Sequence, residues 1–270
     1  KITANGSGEK LWFTNYDSIK EGNAGIFLTG YSTHNTIIDN EITSKTGFAV
    51  NLNTTAKNNI ISNNFLSAKE GSGNDGVNNT NGNTVENNYK YIFSDIVFND
   101  ITVAYLDETT IKITAKLPFA GGIPGKANFY INGIKIGEST LSNNGVATLK
   151  YQLNASFVPG NYKITVTLSK SNYKSVNATA DLIVTKGKLN ISVDEIIGNA
   201  GNKVYFTASV KNVLGEGVKG IAVEFYRNGI YAGKAVSDEN GIAKFIYQIP
   251  ASFTGSYSIS ANASGNDYYF

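Results

Sequence analysis

One segment of about 96 residues occurs twice in this 270-residue chain, and this duplication constrains the fold more than any other feature. The sequence FYING at residues 129–133 returns as FYRNG at residues 225–229. The same offset relates NGVA at 144–147 to NGIA at 240–243, and ASF at 155–157 to ASF at 251–253. Several matches at one offset predict a duplicated domain.

Each copy has the pattern of β-strands. Apolar residues alternate with polar ones from residue 110 to 117, and again at 162–168, 204–210 and 257–261, which is typical of half-buried strands. Asn-Gly pairs at 132–133 and 228–229 favour tight hairpins. About seven short strands per copy without an amphipathic helix predict an immunoglobulin-like β-sandwich. Four repeat-equivalent phenylalanines are predicted to be core: Phe129, Phe157, Phe225 and Phe253.

The second copy is predicted to lack its last strand. In the first copy, the motif at 171–173 precedes an alternating run at 176–184, whereas the sequence given stops at Phe270, shortly after the counterpart motif at 265–268. One interpretation is that the sequence is a middle part of a longer tandem array, with which the absence of Met agrees. The alternative is that a strand of a neighbouring molecule fills the gap by β-augmentation.

A shorter repeat precedes residue 90. NTIIDNEI at 35–42 recurs as NNIISNNF at 58–65, about 23 residues on, and more weakly at 83–89. A coil of this size with short strands and Asn-rich corners favours a right-handed parallel β-helix, in which Ile and Val stack inward and Asn accommodates a left-handed backbone. A disordered Asn-rich linker is the competing interpretation. We therefore expect an all-β chain with β-helix coils at 1–90, one sandwich at 91–186 and a second, truncated sandwich at 187–270.

The composition excludes several classes of function. Without Cys there are no disulfides, zinc–thiolate sites or cysteine nucleophiles. A formal net charge of +2 and the single Arg227 argue against nucleic-acid binding. No apolar run reaches the roughly 18 residues of a membrane span.

The residues that could carry chemistry are few. Asp39 and Glu41 are two apart in a strand-like run and would share one face, but the next coil has Ser62 and Asn64 in the corresponding places. A solvated exterior explains such a pair better than a glycosidase-like carboxylate pair, and His34 is predicted to be a corner residue. The oxygen-rich stretches 74–76 and 237–241 lack the ligand spacing of an EF-hand and match ordinary turn chemistry. We predict no catalytic, cofactor-binding or metal-binding residue, no cofactor, and no enzyme activity.

The Asn-rich coils at 58–64, followed by tandem sandwiches that carry FYxNG and NGxA, resemble the adhesin-like surface proteins of methanogenic archaea. The sandwiches are similar to the bacterial Ig-like repeats of large surface adhesins. The resemblance implies an extracellular protein of the cell surface or cell wall that contacts glycans or proteins of another cell. Two alternatives stay open: a structural component of the cell wall or surface layer, and a fragment of a β-helix polysaccharide lyase or glycosidase.

Overall fold

The computed structural model describes residues 2–3, 11–13, 24–28, 32–44, 47–69, 71–78, 80–119 and 124–270. Within these ranges the regular structure consists of β-strands and one four-residue 3-10 helix, Gly73–Gly76, and no α-helix is present. The prediction of an all-β chain is confirmed. Among the same residues, no helix is long and apolar enough to cross a membrane.

The described residues of the N-terminal region form ten short strands. They are β1 (Ile2–Thr3), β2 (Leu11–Phe13), β3 (Ala24–Leu28), β4 (Thr36–Ile38), β5 (Glu41–Ser44), β6 (Phe48–Leu52), β7 (Ile60–Ser62), β8 (Phe65–Ala68), β9 (Val77–Asn78) and β10 (Thr84–Glu86).

Strands β3 to β10 pair in parallel, and the register across three of them is 24 residues. Ile37 of β4 lies opposite Ile61 of β7, which lies opposite Val85 of β10. This period agrees with the predicted spacing of about 23, but the predicted alignment of Ile37 with Ile60 is one residue out of register. A one-residue slip would turn the side chains to the opposite face, and burial decides the register: Ile61 is fully buried, whereas its neighbour Ile60 is 40% exposed.

The first two strands depart from the predicted parallel coils. β1 pairs with β4 and β2 with β3, both antiparallel. β1 is the first strand of the sheet β1-β4-β7-β10, and β2 is the first strand of the sheet β2-β3-β6-β9. An open sheet edge exposes unpaired backbone groups. β1 and β2 therefore cover the edges that β4 and β3 would otherwise present.

A continuous apolar core fills the space between these sheets. Its fully buried members come from successive strands along the stack: Leu28, Ile37, Val50, Leu52, Ile61 and Leu66. Burying one such aliphatic side chain contributes about 1.5–3 kcal/mol. The prediction that Ile and Val point inward is confirmed for Ile37, Val50 and Ile61.

The first copy of the long repeat forms two sheets and a short two-stranded ladder. Its strands are β11 (Tyr91–Ile92), β12 (Ser94–Phe98), β13 (Ile101–Ala104), β14 (Glu108–Lys116), β15 (Gly125–Ile131), β16 (Ile134–Leu141), β17 (Val146–Gln152), β18 (Gly160–Ser169), β19 (Tyr173–Lys174) and β20 (Val176–Thr185). The sheet orders are β12-β14-β17 and β13-β20-β18-β15-β16, and β11 pairs with β19.

The second copy repeats part of this arrangement. Its strands are β21 (Asn190–Val193), β22 (Lys203–Lys211), β23 (Ala222–Arg227), β24 (Ile230–Val236), β25 (Ile242–Gln248) and β26 (Ile259–Ala263), in the orders β21-β22-β25 and β24-β23-β26. In both copies the predicted Asn-Gly hairpin turns have positive φ at both residues, 46° and 83° at Asn132–Gly133 and 47° and 80° at Asn228–Gly229. These turn predictions are confirmed.

By spatial clustering the chain has two compact units. One comprises Lys1–Asn99, Lys112–Leu149 and Ile164–Thr179, and the other Asp100–Ile111, Lys150–Lys163 and Ala180–Phe270. The three domain ranges 1–90, 91–186 and 187–270 stay a prediction.

Candidate functional site

Two columns of asparagine run through the N-terminal region at the corners between strands. Each corner has one residue of positive φ, and these residues recur every 24 positions. They are His34, Asn58 and Gly82 beside one column and Asp39, Asn63 and Asn87 beside the other. The residue that follows each corner turns its side chain toward the neighbouring coils. These column residues are Asn35, Asn59 and Asn83, and Asn40, Asn64 and Asn88.

Asn64 shows how a column is held together. Its Nδ2 donates hydrogen bonds to the carbonyl of Ile37 at 2.8 Å, to that of Ser62 at 2.9 Å and to Oδ1 of Asn88 at 2.9 Å. Its Oδ1 accepts from the backbone and side-chain amides of Asn40 at 2.9 and 3.1 Å. The side chain is completely buried. Only an amide carries donors and acceptors in this combination, which explains why the repeat uses Asn inside the core.

The second column ends at the 3-10 helix. Asn74 Oδ1 accepts both the backbone and side-chain amides of Asn88 at 3.0 Å, in place of an asparagine 24 residues further on. The first copy begins beside this point, where the backbone amides of Lys90 and Tyr91 donate to the carbonyl of Asn172. The column is thus closed by a loop and by the start of the first copy.

Aromatic rings surround Tyr173 just after this closure. The Tyr91 ring lies 5.1 Å and the Phe93 ring 4.8 Å from that of Tyr173, and Tyr91 stacks on Phe119 at 5.4 Å. The Tyr173 hydroxyl accepts from the Phe119 amide at 2.9 Å and donates to the Phe119 carbonyl. Burial raises the pKa of Tyr173 above its ordinary value of 10.0. These contacts pack the rings against one another and tie Tyr173 to the backbone of Phe119.

The outward sides of the stacked strands form short columns of their own. Thr36, Ile60 and Thr84 lie opposite one another in β4, β7 and β10. Glu41 lies opposite Phe65, which lies beside Tyr89 with ring centroids 6.0 Å apart. Parallel strands repeat at about 4.8 Å, so these side chains form a regular, partly apolar surface.

The predicted carboxylate pair is not held on one strand. Asp39 occupies a left-handed corner with φ 58°, and Glu41 begins β5 after Asn40. Both are exposed, as the interpretation of a solvated exterior expects. His34 lies at an exposed corner with φ 58°, in agreement with its prediction as a corner residue.

The oxygen-rich loops use their side chains in turns. Asn74 closes the asparagine column. Asp238 Oδ1 accepts the backbone amides of Asn240 and Ile242, both at 2.9 Å, and these bonds lower the pKa of that carboxyl. Throughout the described residues, no three His, Asp or Glu side chains form a group that could hold a metal ion.

A groove of about 580 Å³ opens in the second copy. Phe206 and Tyr247 of one sheet line it together with Arg227 and Ile259 of the other, and Ile196 lies in the loop before β22. The Arg227 guanidinium lies over the Phe253 ring at 4.0 Å. At its edge the side chain of Ile197 is 94% exposed.

Sequence reasoning did not identify the buried role of the asparagine columns. It also expected all four repeat-equivalent phenylalanines in the core, but only Phe129 and Phe225 are fully buried. Phe157 and Phe253 are half-buried. The signal that could have revealed the columns is the Asn that follows each left-handed corner every 24 residues.

Comparisons with known proteins find similarity in sequence. The chain is 31% identical over 152 residues to the inverse autotransporter adhesin YeeJ of Escherichia coli K12, covering 52% of this chain and 6% of that protein. The chain therefore spans only a small fraction of the length of the relative that it matches. No family model matches the chain.

Similarities to solved structures are distant. An adhesin structure, Yersinia pseudotuberculosis InvE, aligns with 63% of this chain and 56% of its own at 15% identity and a TM-score of 0.28. A 1.5-MDa bacterial ice-binding adhesin aligns with 57% of this chain and 53% of its own at 14% identity and a TM-score of 0.25. A structure of titin domains I67–I69 aligns with 63% of this chain and 63% of its own at 14% identity and a TM-score of 0.28.

Proposed function

We propose that the chain is an adhesin-like segment of a cell-surface protein. In this proposal the N-terminal coils form a parallel β-helix that presents a binding face, and the two copies of the long repeat are Ig-like sandwiches that act as stalk or spacer. The contacts would be with glycans or proteins of another cell, as the resemblance to archaeal and bacterial surface adhesins implies.

The observation that carries the proposal is the 31% identity over 152 residues to a bacterial adhesin. The duplication at one offset supports a spacer role, because tandem repeats extend a structure without requiring new folds. The parallel pairing of β4, β7 and β10 at a 24-residue register supports the β-helix.

The outward column of Thr36, Ile60 and Thr84 is the surface that we assign to binding. It combines hydroxyl groups with an aliphatic side chain that is 40% exposed, on strands held rigid by the asparagine columns. Repeated shallow surfaces of this kind suit an extended polymer, since each coil offers an equivalent contact.

The experiment measures binding of the full chain to isolated cell walls and to a glycan array. We expect saturable binding that Ile60→Lys reduces at least tenfold without changing the melting temperature. The matched control is Ile230→Lys, which alters another exposed Ile, in a hairpin strand of the second copy, and should bind like the wild type.

Each other outcome contradicts part of the proposal. Equal binding of both variants would contradict the assignment of the outward column. Absence of binding to every surface would favour a structural component of the cell wall or surface layer. Release of reducing ends from a bound glycan would instead identify a polysaccharide-degrading enzyme.

A further inference from the structure

The outer face of the sheet β21-β22-β25 in the second copy is positively charged. Along β22 the residues Phe206, Ala208 and Val210 are buried in the sandwich, so the residues that alternate with them point outward. The register with β21 and β25 extends this outer face across the sheet. No Asp or Glu occurs in the three strands, whereas the outward residues include three exposed lysines, Lys203, Lys211 and Lys244. We call this surface the lysine face.

The three lysines lie along one row. Lys203 and Lys211 are the first and last residues of β22, so they are about 26 Å apart at roughly 3.3 Å per residue. Lys244 of β25 lies opposite Thr207, midway between them. The hydroxyl-bearing residues Thr207 and Ser209 occupy the outward positions next to it on β22. The row therefore alternates ammonium groups with hydroxyl groups.

An aromatic and an aliphatic side chain interrupt this polar row. Tyr205 lies opposite Ile246 in the register of β22 with β25. The two residues are 58% and 53% exposed. Because they lie between Lys203 and Lys244 along the strands, the pair presents an apolar surface to solvent beside two ammonium groups.

The first copy provides a reference for this face. The amide of Ala115 donates to the carbonyl of Gly145, and the amide of Val210 donates to the carbonyl of Gly241, both at 2.8 Å. Ala115 and Val210 are therefore counterparts. Counting back equally along β14 and β22 places Lys203 where the first copy has Glu108. The 96-residue offset of the repeat likewise places Ile246 where the first copy has Lys150.

The lysines of the first copy's face are paired with carboxylates. Lys150 lies 3.8 Å from Glu108, and Lys116 lies 3.6 Å from Asp95. In the second copy the exchange of Glu108 for lysine and of Lys150 for isoleucine removes the first of these pairs. Within the described parts of the chain, the three lysines of the lysine face take part in no ion pair. The second copy has thus replaced internal ion pairs with available ammonium groups.

Two carboxylates flank the lysine face, Asp194 after β21 and Asp238 before β25. Asp238 Oδ1 already accepts the backbone amides of Asn240 and Ile242. Both carboxylates belong to the ends of strands and lie outside the row formed by Lys203, Lys244 and Lys211. The row itself keeps its positive charge.

We propose that the lysine face binds a linear polysaccharide that carries carboxylate groups. The ammonium groups would pair with the carboxylates, and Thr207 and Ser209 would exchange hydrogen bonds with sugar hydroxyls. The Tyr205 ring would pack against the apolar face of one sugar, since an aromatic side chain offers a large apolar surface with a polar end. Charges spread over about 26 Å suit an extended polymer. The assignment rests on no part of the proposed function.

Other polyanions fit the lysine face less well. A peptide binds to a sheet mainly through main-chain hydrogen bonds at an edge, whereas the lysine face offers side chains. Binding to a membrane surface scales with the apolar area that is buried, and the exposed apolar side chains of this face are Tyr205 and Ile246. The charge, the hydroxyl groups and the single exposed ring together favour an acidic polysaccharide.

The test titrates the full chain with an oligogalacturonate long enough to span about 26 Å, and with its methyl ester, by isothermal titration calorimetry. We expect saturable binding of the acid that weakens as salt is raised. The ester keeps the sugar rings and loses the charges, so it should bind at least about fivefold more weakly. Equal binding of the two, or binding of neither, would overturn the proposal.

Lysine substitutions give a matched pair of variants. Lys203→Gln, Lys211→Gln and Lys244→Gln combined should weaken binding at least about fivefold, because each removes one exposed ion pair with the ligand. The control combines Lys112→Gln, Lys116→Gln and Lys150→Gln, which lowers the net charge equally in β14 and β17 of the first copy. It should bind within about twofold of the wild type. An equal loss in both variants would show unspecific attraction and overturn the proposal.

The aromatic contact has its own test. Tyr205→Ala should weaken binding at least about threefold, whereas Tyr205→Phe keeps the ring and should preserve it. Since Tyr205 is 58% exposed, we expect both variants to unfold at nearly the temperature of the wild type. Unchanged affinity of Tyr205→Ala would overturn the packing of this ring against the ligand.

Two further ligands and one variant separate this proposal from others. If polyglutamate or phosphatidylserine vesicles bound as tightly as oligogalacturonate and lost affinity in the same lysine variant, the specificity for a polysaccharide would be overturned. Ile60→Lys leaves the lysine face unchanged and should bind oligogalacturonate at least as well as the wild type. A failure of the lysine face would thus leave the outward column of Thr36, Ile60 and Thr84 untouched, and the reverse also holds.

Discussion

Replacing Asn64 with Asp tests whether the asparagine columns hold the N-terminal region together. The change exchanges Nδ2 for an oxygen, which would face the carbonyls of Ile37 and Ser62 and Oδ1 of Asn88. A protonated carboxyl can donate to one of these three acceptors, and each buried group left without a partner costs about 1–3 kcal/mol. We expect a loss of about 3–5 kcal/mol in the free energy of unfolding at pH 7.

The loss should depend on pH. We expect three surrounding oxygens and complete burial to raise the pKa of the introduced carboxyl in the folded Asn64→Asp variant above its unfolded value of about 3.9. Between these two pKa values the folded state binds more protons, so its stability falls as pH rises, by about 1.4 kcal/mol per pH unit. The variant should therefore be more stable near pH 4 than at pH 7, relative to the wild type at the same pH.

Urea unfolding followed by far-UV circular dichroism measures this effect. Asn63→Asp is the matched control: it makes the same chemical change at the adjacent residue, which is exposed and left-handed with φ 56°. Asp tolerates that conformation, so we expect a change below about 1 kcal/mol. Equal effects of the two substitutions at pH 7, or no pH dependence for Asn64→Asp, would refute the reasoning.

Gly145→Ala should destabilise the first copy by at least about 2 kcal/mol more than Gly133→Ala in chemical denaturation. Both glycines have positive φ, but a Cβ at Gly145 would lie 1.7 Å from the Ala115 carbonyl oxygen, whereas one at Gly133 meets nothing within 4 Å; equal losses would contradict this. Tyr173→Phe removes both hydroxyl bonds to Phe119 and should cost about 1–3 kcal/mol near neutral pH. Since the folded pKa of Tyr173 is raised from 10.0, its contribution is complete below pH 10 and lost as pH rises through the folded pKa. Thermal unfolding from pH 8 to 11.5 should show a smaller alkaline loss for the variant, and identical curves would contradict that role.

The hairpins of the long repeat illustrate what local sequence can predict. Asn132–Gly133 and Asn228–Gly229 adopt positive φ at both positions, because that conformation is set by steric limits within two residues. The alternating run of β14 likewise buries Ile111 and Ile113, since strand periodicity places alternate residues on one face. These features need no knowledge of distant parts of the chain.

The short repeat shows where local reasoning fails. The alignment of NTII with NNII gives three identities at a spacing of 23, whereas the register that the structure adopts, one residue further on, gives only two. Packing chooses between them: Ile61 enters the core and Ile60 does not. The same choice places Asn64 inside and Asn63 outside, although both are asparagines in the same corner.

By itself, then, the sequence determined the β character of the chain, its duplication and the places where the backbone turns, since these depend on contacts between near neighbours. Tertiary structure alone decided which asparagines are buried and hydrogen-bonded across the stacked strands. These bonds join residues far apart in the chain: Asn64 requires partners 24 and 27 positions away.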